Sequence, residues 1–208
     1  MGIIRRNFTY LNCDTFLKLY KGLVRPQLEY SIPVWSPSLK KHIKSIESVQ
    51  RRATSCIREL HNLDYEERLR KLKLPTLVYR RLRGDMIEAF KITSNHYDIN
   101  VQNLLPLHHS IVKEHSLRGN QKKFFKKRCN LDLRKHFFTQ RILPFWNSLP
   151  NIVVMAPSVK AFERRLDKHW SDQDITYNFE SILNTKQRSG RRMEDMHLED
   201  PDNDPFVH

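Results

Sequence analysis

Residues 19–52 read LYKGLVRPQLEYSIPVWSPSLKKHIKSIESVQRR, and the pattern of this stretch decides the fold class. Its first half is punctuated by Pro26, Pro33 and Pro37. Each lacks a backbone N–H and fixes its own φ, so a helix there is expected to be interrupted or kinked. Downstream of Pro37, Ile43, Ile46, Val49, Ala53 and Ile57 recur at helical spacing and predict an amphipathic helix over residues 39–60. Lys40, Lys41, Lys44, Arg51 and Arg52 fall on its opposite side.

Working outward, Asp14 is placed to cap a first helix in which Phe16, Leu17, Tyr20, Leu23 and Val24 recur. YEERLRKL, residues 65–72, has Glu66 and Glu67 in its first turn and Arg70 and Lys71 in its last, an order that complements the helix dipole. Pro75 suits the start of a helix over 76–93, with Leu77, Met86, Ala89, Phe90 and Ile92 facing inward. Gly84 lies inside that helix, where it costs about 1 kcal/mol relative to Ala. Close helix packing is its expected role. Residues 94–120 are weakly patterned and read as a loop. A helix is expected from about Leu131, with Leu133, Phe137, Phe138, Ile142, Phe145, Trp146 and Leu149 in it or just past it and Pro144 kinking its end. Ser158 caps a last helix that aligns Val159, Phe162, Leu166 and Trp170.

The expected architecture is mostly α: a helical, thumb-like bundle with a helical carboxy-terminal extension and room for one short β segment. The segments would run 1–97, a linker at 98–120, the extension at 121–183, and a tail at 184–208. Five of those last 25 residues are apolar, too few to offset ordering entropy, so the tail is expected to be disordered.

Charge narrows the partners. The chain carries 37 Lys and Arg against 23 Asp and Glu, and six of the acids lie in residues 193–208, which hold no Lys or Arg. Over residues 1–192 the balance is therefore 37 against 17, or +20. Such an excess favours polyphosphates, and the cations recur beside aromatics instead of forming one low-complexity block. Cys13, Cys56 and Cys129 are far apart with no CxxC pair, so reduced thiols of an intracellular protein are expected. His108, His109 and His115 do not match a metal-ligand spacing, and no metal site is expected. No apolar run reaches the ~18 residues of a membrane span.

Three blocks carry a family resemblance: LYKGLVRPQLEYSIPVWSPSLKKHIKSIESVQRRAT, YEERLRKLKLPTLVYRRLRGDMIEAFKI, and the series FFKKR, LRKHFFTQRILPFWNSLP and APSVKAFERRLDKHW. In order and separation they resemble the carboxy-terminal, post-palm part of non-LTR (LINE-type, Jockey-like) retrotransposon reverse transcriptases, over about residues 1–172. The resemblance implies the end of the palm, a helical thumb and an extension. A thumb closes over the primer–template duplex and touches mainly phosphates, which requires positive charge but no base-edge code. The contacts this implies are Lys40, Lys41, Lys44, Arg51 and Arg52, then Arg80, Arg81 and Arg83. A solvated helix face is the plain alternative for half or more of them.

The family's palm holds two divalent magnesium ions on paired aspartates, usually in a Tyr-x-Asp-Asp turn. This sequence has no such turn and no adjacent Asp pair. No P-loop and no G-x-S-x-G replaces them. The chain alone is therefore expected to bind RNA or DNA without polymerising, with no catalytic residue and no cofactor of its own. Two other expectations stand beside it. One is a protein-interaction remnant that once packed on the palm; the other is the end of a full enzyme whose palm is encoded upstream.

Lys122, Lys123, Lys126, Lys127 and Arg128 flank Phe124 and Phe125, and form a second candidate contact in which the rings either stack on bases or join the core. Trp35, Trp146 and Trp170 are expected in the core. KKFFKKR and RSGRR are weak import signals, which leaves nucleus and cytoplasm both open.

Overall fold

The computed structural model describes residues 2–8, 10–98, 100, 104–111 and 120–185. The chain is mostly helical, and among the described residues the strand pairing is one isolated antiparallel bridge, Leu107 with Phe124.

Helix α1 (Gly2–Asn7) precedes α2 (Cys13–Leu19). Asn12, and not Asp14, caps α2: its Oδ1 accepts from the Thr15 N–H at 2.8 Å, and Asp14 sits in the first turn. Helical structure then runs on through a π turn (Tyr20–Val24) into α3 (Arg25–Glu29). Pro26 has no N–H for the carbonyl four residues back, and the N–H of Arg25 reaches to the Tyr20 carbonyl instead. A wider turn thus absorbs the expected interruption. After Ser31, left-handed at φ 55°, comes α4 (Ile32–Trp35).

Helix α5 (Lys40–Thr54) stops short of Leu60, which lies in a separate 3-10 turn, Arg58–Leu60. Its orientation departs further from expectation. The buried face carries Glu47, Gln50, Ala53 and Thr54, while Ile43, Ile46 and Val49 are only half-buried. Helix α6 (Tyr65–Leu72) begins in a capping box: Asp64 Oδ1 accepts from the Glu67 N–H at 2.7 Å, and Glu67 Oε2 accepts from the Asp64 N–H at 3.1 Å. It ends at Lys73, left-handed at φ 50°.

Helix α7 (Leu77–Thr93) is capped by Thr76, leaving Pro75 outside. Room remains at Gly84: an added Cβ would meet Ile32 Cδ1 at 3.9 Å, an ordinary contact distance. Close packing therefore does not require glycine there.

Beyond the short α8 (His108–Ile111), the predicted helix from Leu131 is broken into α9 (Asp132–Lys135), α10 (Phe138–Arg141) and α11 (Leu143–Ser148), with α12 (Asn151–Val154) following. Phe137 is extended, at ψ 147°, and separates α9 from α10. Pro144 lies in the first turn of α11, where its missing N–H has no intrahelical partner to lose, so it starts a helix and does not kink one. Trp146 is buried as expected, and Phe138, Ile142 and Leu149 are buried with it, but Leu133 and Phe137 stand 88% and 56% exposed. Helix α13 (Val159–His169) has its cap at Ser158, whose Oγ accepts from the Ala161 N–H at 3.2 Å.

Two apolar clusters flank α7. One gathers Phe16, Tyr20, Ile57, Leu60, Tyr65 and Leu69; the other joins Met86, Ala89 and Phe90 of α7 to Trp146, Phe162 and Trp170. Phe90 stacks on Phe162 with ring centroids 4.4 Å apart. Residues assigned to 1–97 and to 121–183 thus share one core. After α13 the chain returns: the Thr76 N–H donates to the Thr176 carbonyl at 2.8 Å, and Tyr177 and Phe179 pack on the first cluster. From residue 186 the expected disordered tail lies outside the described residues.

Candidate nucleic-acid interface

Polar contacts fix how α5 is rolled. Glu47, 1% exposed, accepts from the Tyr65 hydroxyl at 2.6 Å and from the Leu77 N–H at 3.1 Å. Gln50 accepts from the Tyr20 hydroxyl at 2.6 Å and donates to the Pro75 carbonyl at 3.1 Å. Arg68 donates to Thr54 Oγ1 at 3.3 Å. Burial raises the Glu47 carboxyl above the ordinary glutamate range, against the pull of the two donors and of Arg81 and Arg51.

With that face turned inward, Lys40, Lys41, Lys44, Arg51 and Arg52 all emerge exposed. The helix rises 1.5 Å per residue, so Lys41 and Arg52 stand ~16 Å apart along it. Neither Lys40 nor Lys41 forms an ion pair with the described residues. Lys44 meets Glu180 at 3.1 Å in a pair exposed on both sides, a contact of small energetic weight. The Arg51 guanidinium lies over the rings of Tyr65 and Phe179, 5.0 and 5.4 Å from their centroids. Arg52 Nε donates to the Ser48 carbonyl of its own helix.

The α7 arginines are engaged within the fold, which corrects the expectation for them. Arg80 makes a two-pronged pair with Glu29, its Nη2 donating to Oε2 at 2.8 Å. Arg83 grips Asp167 at 2.6 and 2.9 Å and reaches Glu163 at 3.3 Å, so the Asp167 hydrogen bonds hold its charge on firmly. Arg81 is 4% exposed, and its Nη1 has no hydrogen-bond partner. Burial lowers its pKa, while Glu47 and Asp85 favour its charge. None of the three faces solvent as α5 does.

The second candidate segment divides. Phe124 is 1% exposed and stacks on Trp146 at 5.0 Å. Its N–H donates to Asn147 Oδ1 at 2.9 Å, and Trp146 Nε1 donates to the Lys122 carbonyl at 2.7 Å. That ring is core. Phe125 is half-buried beside His108, Lys122 and Lys123 are half-buried, and Lys126, Lys127 and Arg128 are exposed. Trp146 and Trp170 are core, whereas Trp35 is 38% exposed. Arg134 of α9, absent from the predicted contacts, is also exposed.

Among the described residues no three His, Cys, Asp or Glu side chains converge as a metal-binding group, and no helix is long and apolar enough to cross a membrane. No protein-family model, curated protein or solved structure matches this chain.

Proposed function

We propose that this chain binds nucleic-acid backbones through the outer face of α5, as the thumb-like part of a LINE-type reverse transcriptase would, and does not itself polymerise. The observation that carries this reading is the α5 geometry: five cations exposed on a helix that Glu47 and Gln50 anchor to the fold. A rigid cationic face suits phosphates, and contacts to phosphates position a protein without reading sequence. The three sequence blocks support the family, and the missing Tyr-x-Asp-Asp turn supports binding without catalysis.

The test is a salt series of binding to B-DNA, RNA–DNA hybrid and single strands. Each duplex phosphate engaged lowers the slope of log K against log[salt] by about 0.9, so five contacts give about −4.5. Replacing Lys40, Lys41 and Arg52 by Glu should remove at least three contacts and flatten the slope by roughly 2.7. A flat salt response in the unaltered chain, or no binding at low salt, refutes the proposal.

A second reading, a non-catalytic protein-interaction module, draws on the exposed apolar side chains of Val34 and Leu133. It predicts self-association in size-exclusion chromatography and indifference to nucleic acid. If the coding sequence upstream of Met1 holds the palm motifs, the same face belongs to an active polymerase.

A further inference from the structure

Between α4–α5 and α9–α10 lies an open groove of about 640 Å³. Its walls include Trp35, Leu39 and Ile46 on one side and Leu133 and Phe137 on the other. Val34, Leu39, Leu133 and Phe137 are 79%, 58%, 88% and 56% exposed, and among the described residues nothing covers them. Apolar side chains grouped in this way mark a binding surface. The same first turn of α5 bears Lys40 and Lys41, and α9 bears Arg134, all exposed. Asp132, the acid on α9, is paired with Lys135 at 2.7 Å.

The occupant must therefore be both apolar and anionic. Val34, Leu39, Ile46 and Leu133 offer aliphatic contact to Met and Leu side chains, and the rings of Trp35 and Phe137 add edges that a thioether packs on well. One segment of this chain has that chemistry. Residues 193–208 combine Met193, Met196, Leu198, Phe206 and Val207 with six acids and no Lys or Arg. Reach permits it. Glu180 sits on Lys44, within one turn of His42 and Ile46, which line the groove. Thirteen residues from Glu180 to Met193 can span up to ~44 Å, against a helix diameter of ~10–12 Å to be rounded.

We infer that residues 193–208 of this chain dock in the groove, placing Met193, Met196 and Leu198 against its apolar walls and their neighbouring carboxylates on Lys40 and Lys41. Docked there, the segment shields Trp35 and competes with any anion for the first turn of α5.

Trp35 supplies the readout, because Trp146 and Trp170 are 0% and 2% exposed. Acrylamide quenching of tryptophan fluorescence is compared in the full chain and in one ending at Arg192, which keeps every described residue. Loss of protection is expected on truncation, and its return on adding a synthetic 193–208 peptide. A full-length variant with Met193, Met196 and Leu198 changed to Ser should lose protection as well. Combining Val34→Ser with Leu133→Ser should weaken the peptide about tenfold, or roughly 1.4 kcal/mol.

Equal quenching in the two chains overturns the inference, as does peptide binding indifferent to the wall substitutions. Protection that rises with protein concentration overturns it in favour of a second copy, and protection of the truncated chain by oligonucleotide but not by peptide does so in favour of nucleic acid. A second arm rests on the proposed function: truncation should tighten duplex binding at low salt, and Lys40→Glu with Lys41→Glu should abolish that gain. If the peptide protects Trp35 while the duplex never binds, the nucleic-acid reading fails and the docking inference stands.

Discussion

Arg141→Met tests how the groove's floor is held together. Arg141 Nε and Nη2 donate to the two carboxylate oxygens of Asp85, each at 2.9 Å. Nη2 also donates to the carbonyls of Ile32 and Pro33 at 3.1 and 3.2 Å. One guanidinium thus ties α10 to α7 and α4. Asp85 is 1% exposed, and burial raises its carboxyl against the pull of Arg141 and Arg81. With Arg141 gone, the carboxylate must either stay charged in a dry site or take up a proton. At pH 7, protonating an aspartate of ordinary pKa near 3.9 costs about 4 kcal/mol, at about 1.36 kcal/mol per unit. That sets the ceiling, and it agrees with the ~3–5 kcal/mol typical of breaking one side of a buried pair.

The sign with pH follows. The variant's folded-state pKa is raised above the unfolded value, so the proton stabilises its folded state and the penalty shrinks on acidification. Near pH 5 the same arithmetic leaves about 1.5 kcal/mol, plus the lost carbonyl contacts. Urea unfolding at both pH values is the assay, with Asp85→Leu/Arg141→Met completing the cycle and recovering much of the loss. A penalty under about 1 kcal/mol at pH 7, or one that does not change with pH, refutes the reasoning.

Three further changes are informative. Gly84→Ala should stabilise the chain by about 0.5–1 kcal/mol, because helix propensity improves and the new methyl group has room beside Ile32; a loss in urea unfolding would show that α4 and α7 cannot accommodate it. Lys73→Gly should gain about 1 kcal/mol by relieving the left-handed residue after α6, read from the thermal midpoint. Glu47 has a raised folded-state pKa, so its contribution is full below the ordinary glutamate value and is lost as pH rises through the raised one. Glu47→Gln cannot titrate. The stability of the unaltered chain relative to this variant should therefore rise between pH 7 and pH 5, and a constant difference would rule out burial as the dominant influence.

The sequence is legible where structure is local. The charge order of α6, the Ser158 cap and the inward face of α7 follow from neighbours within a turn or two. It is opaque where partners are distant. Arg80, Arg81 and Arg83 look like one basic cluster, yet the Asp167 that claims Arg83 lies 84 residues away. Helical spacing continues across Leu133 and Phe137, but Arg141's distant partners and the extended backbone at Phe137 break the run into three helices. Trp35 donates to the Tyr30 carbonyl at the surface, so its indole is satisfied without entering the core.

Helix α5 shows why its apolar stripe misleads. Hydropathy ranks Ile43, Ile46 and Val49 as the inner face, but Tyr65, Leu77 and Tyr20 offer partners that only Glu47 and Gln50 can use. A buried, satisfied polar network fixes one orientation, whereas aliphatic contacts tolerate several. With α5 held in that orientation, the cations remain exposed and Ile46 forms a wall of the groove. Glu47→Ala should disturb both surfaces together by releasing the anchor, altering Trp35 quenching as well as the salt slope. Arg141→Met loosens the groove through α4 and α10 and leaves the anchor intact. It should change the quenching and spare the slope, and a matching change in both would mean that α5 is not held by its polar face.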